Sequence, residues 1–366
     1  MFFSKFWNIV KSFDLVFLCS IGILGSFGFA ALYSIGLGKE PQNFFYLEKQ
    51  TLFFTIGFCA FLVVSVLNYR LIKNFSILFY ILSCGLLSAV LLLGTTVRGT
   101  KGWLLAGVFT FQPVELAKIA LVLVLAYYFC RHTWHLSQLR HLIVSGVLMA
   151  LPVGLVLLQP DFGSAVILFS IWVGMVLMNG ISKRYSIGLL LLFAILLVSA
   201  WLFMFKDYQK DRIRAFVTPT ADQAGRSYNV KQAMIAIGSG QLFGKGIGSG
   251  SQSHLKFLPA NQTDFIFSVV AEEMGLFGIS LLLFFWIIFF RRCIHSMKRA
   301  RDDFAVHCVL GFTLMFFVHI AINIGGNLGL IPVTGIVLPF LSYGGSALLS
   351  ALIAAGMIHS VSIHSV

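Results

Sequence analysis

Residues 264–290 read DFIFSVVAEEMGLFGISLLLFFWIIFF. No charged residue lies between Glu273 and Arg291, and the whole stretch is long and apolar enough to cross a bilayer as a helix. It nevertheless opens on a carboxylate, Asp264, and carries two more, Glu272 and Glu273. Charge is costly in hydrocarbon, so an ionisable side chain in a span is a candidate for function, with a partner to be named. Adjacent carboxylates cannot both face lipid. At least one of Glu272 and Glu273 must therefore meet a polar interior.

The rest of the chain repeats the apolar pattern. Of 366 residues, 58% are hydrophobic and 11% charged, whereas a soluble domain carries about 25% charged residues. Polar surface is too scarce to coat a water-soluble globule. Apolar runs predict spans over residues 14–36, 50–69, 74–94, 112–130, 142–159, 162–180, 186–205, 264–290, 304–324 and 340–360. The expected fold is an all-α membrane protein, a polytopic bundle of about ten transmembrane helices forming a single domain over residues 1–366. One long extracytoplasmic loop is expected over about residues 206–263. The first run lacks a small-residue cleavage site and reads as a retained span, not a signal peptide.

Charge sets the orientation. With the amino terminus inside, the inner segments hold Lys5, Lys11, Arg70, Lys73, Arg131, Arg140, Lys183, Arg184, Arg291, Arg292, Lys298, Arg299 and Arg301. The short outer segments hold only Lys39, Lys49, Arg98 and Lys101. This bias predicts cytoplasmic termini and an outward-facing long loop. The net charge of +13 then reads as contact with anionic membrane lipid, with no nucleic-acid partner. Cys19, Cys59, Cys84, Cys130, Cys293 and Cys308 all lie in or beside predicted spans, at spacings that suit neither a zinc site nor a disulfide framework. No protein metal site and no Ser/His/Asp nucleophile pattern is found.

Three places carry candidate chemistry. In QPVELAK, residues 112–118, Pro113 suits a first helical turn. The helix dipole favours Glu115 there, and Lys118 falls three residues on, on the same face. The pair either neutralises itself so that the span can insert, or lines a polar cavity open to an anionic substrate. Asp264 either caps its helix or, partly buried, serves as a general base. In the loop, Lys206, Lys210, Arg212, Arg214, Arg226, Lys231, Lys245 and Lys256 outnumber Asp207, Asp211 and Asp222. Residues 236–250, AIGSGQLFGKGIGSG, are Gly-rich. They fail the Walker pattern, because Ser239 and Gly246 stand where Gly and Ser/Thr are needed. A basic Gly-rich segment still suits an anionic headgroup, and its glycines equally suit plain turns. His319 and Asn323 read as packed polar residues.

These motifs together resemble the SEDS family (shape, elongation, division and sporulation), most closely its rod-shape branch. The resemblance covers nearly the whole chain. It is carried by residues 107–118 (GVFTFQPVELAK), 159–165 (QPDFGSA), 232–240 (QAMIAIGSG), 258–275, 329–335 (GLIPVTG) and 338–346 (LPFLSYGGS). It implies a ten-span peptidoglycan glycosyltransferase that polymerises lipid II at the outer face of the bacterial cytoplasmic membrane. The implied partner is a class B penicillin-binding protein transpeptidase. The family's essential aspartate falls on Asp264, and its Glu and Lys on Glu115 and Lys118. The substrate-holding set expected is Glu115, Lys118, Lys245, Arg212, Glu272 and Lys101. No cofactor motif is implied, and Mg2+ or Mn2+ accompanying the substrate pyrophosphate is left open. Departures are Gly102, where the family usually has Arg, Val114 and Ala347 where Ser is common, and no histidine ahead of Thr263-Asp264. The competing classes are a lipid II flippase, a scaffold that only recruits the penicillin-binding protein, and the division-type paralogue.

Overall fold

The computed structural model describes residues 13–38, 41–97, 100–106, 109–132, 139–180, 184–185, 188, 226–254 and 258–365. Eight helices among them are long and apolar enough to cross a membrane. They are α1 (Leu15–Leu37), α2 (Phe45–Val66), α3 (Tyr69–Leu93), α4 (Pro113–His132), α5 (Leu139–Leu158), α9 (Ile266–Arg299), α10 (Asp303–Asn327) and α11 (Gly345–His364). A ninth apolar helix, α6 (Phe162–Met178), is shorter. Nine of the ten predicted spans are thus helices, and the predicted span 186–205 lies, but for residue 188, outside the described residues. The protein is a polytopic membrane protein.

Two elements differ from expectation. Between α3 and α4 runs a small antiparallel sheet of β1 (Thr95–Val97), β2 (Thr100–Ala106) and β3 (Phe109–Phe111), in that order. Its threonines, valine and aromatic residues favour a pleated strand once the chain leaves the bilayer. The second correction concerns the long loop, which contains helix α7 (Arg226–Ser239) and the short turn of helix α8 (Ser251–His254). Ala233 and Ala236, one turn apart, are fully buried and α7 packs on α9, so tertiary contact supports the helix despite its polar composition.

The bundle sorts its helices by surroundings. α4 and α11 are buried along most of their length. α2, α3 and α5 instead expose rows of Leu, Ile, Val and Phe, for example Leu71, Phe75, Leu78 and Leu82 on α3. That outward apolar surface is what a lipid solvent requires. α11 packs against α2, α4 against α3 and α10, and α9 against α1.

Helix α9 is broken at Gly275, whose φ of 64° and ψ of −163° lie outside the helical region. The break strands four backbone groups. The Glu272 and Glu273 carbonyls accept from Lys245 N and Gly246 N, both at 3.0 Å. Leu276 N and Phe277 N donate to the Gln241 and Leu242 carbonyls at 2.8 and 3.0 Å. Residues 241–246 are therefore spliced into the gap and pair these four backbone groups. Glycine is required because a Cβ on Gly275 would strike the Gly244 nitrogen.

Candidate active site

The helices enclose a cavity of about 590 Å³. Glu115 and Lys118 from α4, Asp161 ahead of α6, Asp264 ahead of α9 and His319 from α10 all line it. Lys49 from α2 and Trp103 from β2 complete its charged and aromatic wall. Residues drawn from opposite ends of the sequence thus share one polar chamber inside an apolar bundle.

The Glu115–Lys118 pair forms as the three-residue spacing predicts. Lys118 Nζ lies 2.7 Å from Glu115 Oε1. The two residues are 2% and 7% exposed, respectively, so the ion pair is withheld from bulk solvent. Lys118 Nζ also stands 3.0 Å from His319 Nε2. Among the two readings of the pair, the geometry supports a charged group facing a cavity.

The N-cap position of α9 is Phe265, which makes no side-chain capping bond, and Asp264 lies one residue ahead of it. Asp264 closes a tight turn in which its N–H donates to the Ala260 carbonyl at 3.1 Å. Its own carbonyl accepts from Asn323 Nδ2 at 3.1 Å and Asn327 Nδ2 at 2.9 Å. Ser342 Oγ donates to the Thr263 carbonyl at 2.6 Å, and Tyr343 N to the Gln262 carbonyl at 2.8 Å. The backbone around Asp264 is therefore pinned by α10 and by the segment before α11. Its half-buried carboxylate is presented to the cavity. Such pinning is how a reactive group is held in a productive geometry.

The other expected substrate residues are placed elsewhere. Lys245 Nζ pairs with Glu272 Oε1 at 2.9 Å and with Ser251 Oγ at 2.7 Å. Glu272 also accepts from Gln252 N at 3.0 Å, and Glu273 accepts from the Ser34 hydroxyl. Both carboxylates are buried at the helix break, and none of Lys245, Glu272 and Glu273 lines the cavity. The Gly-rich stretch is used for backbone approach to α9. Lys101 Nζ donates to the Leu91 carbonyl at 2.7 Å and does not line the cavity. Arg98 and Arg212 lie outside the described residues.

Sequence reasoning read His319 and Asn323 only as packed polar residues and gave no site role to Asn327, Asp161 or Lys49. The signal for His319 was available, because an ionisable residue in a span calls for a named partner. Nothing local in the sequence pairs the two asparagines of α10 with a backbone carbonyl some sixty residues earlier. Asp161 caps α6, accepting from Ser164 N at 3.0 Å and Ser164 Oγ at 2.7 Å, while lining the cavity.

Comparison with known proteins agrees with this architecture. The FtsW/RodA/SpoVE family model, described as a cell cycle protein, matches residues 11–366. The peptidoglycan glycosyltransferase MrdB of Escherichia coli strain K12 is 35% identical over 323 residues, 88% of this chain and 87% of that one. The probable peptidoglycan glycosyltransferase FtsW of Trichlorobacter lovleyi is 33% identical over 361 residues, 96% of this chain and 94% of that one. The crystal structure of Thermus thermophilus rod shape determining protein RodA superposes with a TM-score of 0.71 at 27% identity, covering 96% of each chain. A chain from a peptidoglycan synthase complex, in which polymerization and crosslinking are structurally coordinated, gives 0.80 at 27% identity, covering 96% of this chain and 97% of that one. The chain belongs to the FtsW/RodA/SpoVE family, the SEDS proteins of membrane-embedded cell-wall synthesis.

Proposed function

We propose that this protein is a peptidoglycan glycosyltransferase that polymerises lipid II at the outer face of the bacterial cytoplasmic membrane, in the elongation role of the rod-shape branch. The single observation carrying the reading is the pinned, half-buried Asp264 sharing a cavity with the buried Glu115–Lys118 pair. The family relatives named peptidoglycan glycosyltransferase support it.

Asp264 acts as the general base. It takes the proton from the 4-hydroxyl of the acceptor N-acetylglucosamine as that oxygen attacks the anomeric carbon of the donor N-acetylmuramic acid. The configuration inverts, and undecaprenyl pyrophosphate departs. A positioned base contributes about 10²–10⁴-fold, so charge stabilisation of the leaving group must contribute as well. Lys118 supplies a cation inside the cavity, and Glu115 holds it. Lys245 acts instead through Glu272 in the loop clasp. Mg2+ or Mn2+, where used, comes with the substrate pyrophosphate. Both termini face the cytoplasm, and a class B penicillin-binding protein is the crosslinking partner.

The test is glycan synthesis from lipid II by purified protein in detergent, where there is no membrane to cross. Asp264→Asn is expected to fold and to make no glycan strands. Wild-type polymerisation by that variant overturns the base assignment. Failure of the unmodified protein to polymerise, alone or with its partner, favours lipid transport.

A further inference from the structure

Lys118 lies in a membrane-spanning helix at 2% exposure, and an ammonium carries three N–H donors. Glu115 takes one at 2.7 Å. His319 takes the second, for a reason set by its own helix. Its Nδ1 lies 2.7 Å from the Met315 carbonyl one turn back, so Nδ1 carries the proton and Nε2 turns its lone pair to Lys118 at 3.0 Å. Among the described residues no other group accepts from Lys118. Both Lys118 and His319 line the cavity.

Two acceptors on two different helices fix where the nitrogen sits and where the remaining N–H points. Glu115 alone, on the same helix, would let the lysine follow its own side-chain motion. The choice of imidazole also matters for charge. A second carboxylate at position 319 would leave the cluster net negative and repel an anion. A neutral acceptor orients the ammonium and leaves the pair balanced.

We infer that His319 is a positioning residue that aims the third Lys118 N–H into the cavity, to meet a phosphate oxygen of a pyrophosphate-linked substrate. The inference rests on the cavity being the catalytic centre. It does not depend on Asp264 being the base.

The experiment measures equilibrium binding of undecaprenyl pyrophosphate to the full chain in detergent, in an Asp264→Asn background that keeps binding apart from turnover. His319→Leu is expected to weaken binding roughly tenfold, the size of one hydrogen bond to a charged group. His319→Gln, whose amide oxygen also accepts, is expected to stay within about threefold of the parent. In a Lys118→Met background, Leu and His at position 319 should bind alike. In the catalytically intact chain, His319→Leu should raise KM and lower kcat, and His319→Gln should restore both. Thermal unfolding is followed throughout, and His319→Met replaces His319→Leu if the leucine variant does not fold. Parent-like binding by the apolar variant overturns the inference. So does an undiminished loss in the Lys118→Met background, or failure of a folded His319→Gln to rescue. Glycan synthesis by Asp264→Asn itself would overturn only the base assignment.

Discussion

Two lysine–carboxylate pairs in this bundle look alike on paper and differ in what surrounds them. Lys118–Glu115 spans 2.7 Å and Lys245–Glu272 spans 2.9 Å. The first pair lies on one helix and faces a cavity. The second joins two chain segments and is closed by Ser251 and the Gln252 N–H. Pairing with a carboxylate alone therefore does not mark a charge that faces a cavity. Of these two lysines, Lys118 lines the enclosed space and Lys245 does not.

The comparison can be broken at several points. Lys118→Met should give the largest effect, a fall in polymerisation of about 10²–10³-fold in kcat, the size of losing one preorganised donor to developing charge. Steady-state glycan synthesis checks it. Exchanging the partners, Glu115→Lys with Lys118→Glu, should leave activity lost, and full recovery would reduce this pair to mere neutralisation. Gly275→Ala should destabilise the protein by about 2 kcal/mol or more, because it forces an L side chain to positive φ against the Gly244 backbone. Chemical denaturation in detergent reads it. Lys245→Met should cost about 1 kcal/mol, since a charge-assisted bond is lost from a side chain that is already 30% exposed. The folded fraction should retain activity within about threefold, a difference small on the scale of a catalytic donor. A Lys245→Met enzyme that folds normally and cannot polymerise would put the clasp in the active site and erase the distinction.

Much of this was legible. The spans are continuous apolar runs, and a helix hides its backbone from lipid, so composition nearly dictates the element. The Glu115–Lys118 pair follows from i,i+3 geometry. The break in α9 was hidden because Gly275 sits in a stretch that reads as one continuous span, and hydropathy carries no mark of a positive φ. The fate of Lys245 was hidden for a related reason. Loop composition shows a cation and glycines but not the partner 27 residues on. The small sheet after α3 depends on strand pairing across turns, which no single short run announces. His319 was visible as an ionisable residue, and only the packing of α10 on α4 shows which side chain it meets.

The splice at Gly275 also sets which edits the long loop before α9 can tolerate. Its four bonds run backbone to backbone, from residues 241, 242, 245 and 246 to residues 276, 277, 272 and 273. Such a ladder reads spacing, not identity. Replacing Leu242 or Phe243, whose side chains are exposed, leaves every one of those bonds available. Adding one residue between 242 and 245, or between 273 and 276, puts the two strands of the splice out of step and unseats the half-helix that follows Asp264. The long loop is thus a stretch whose length is under tighter constraint at its join than its lettering is.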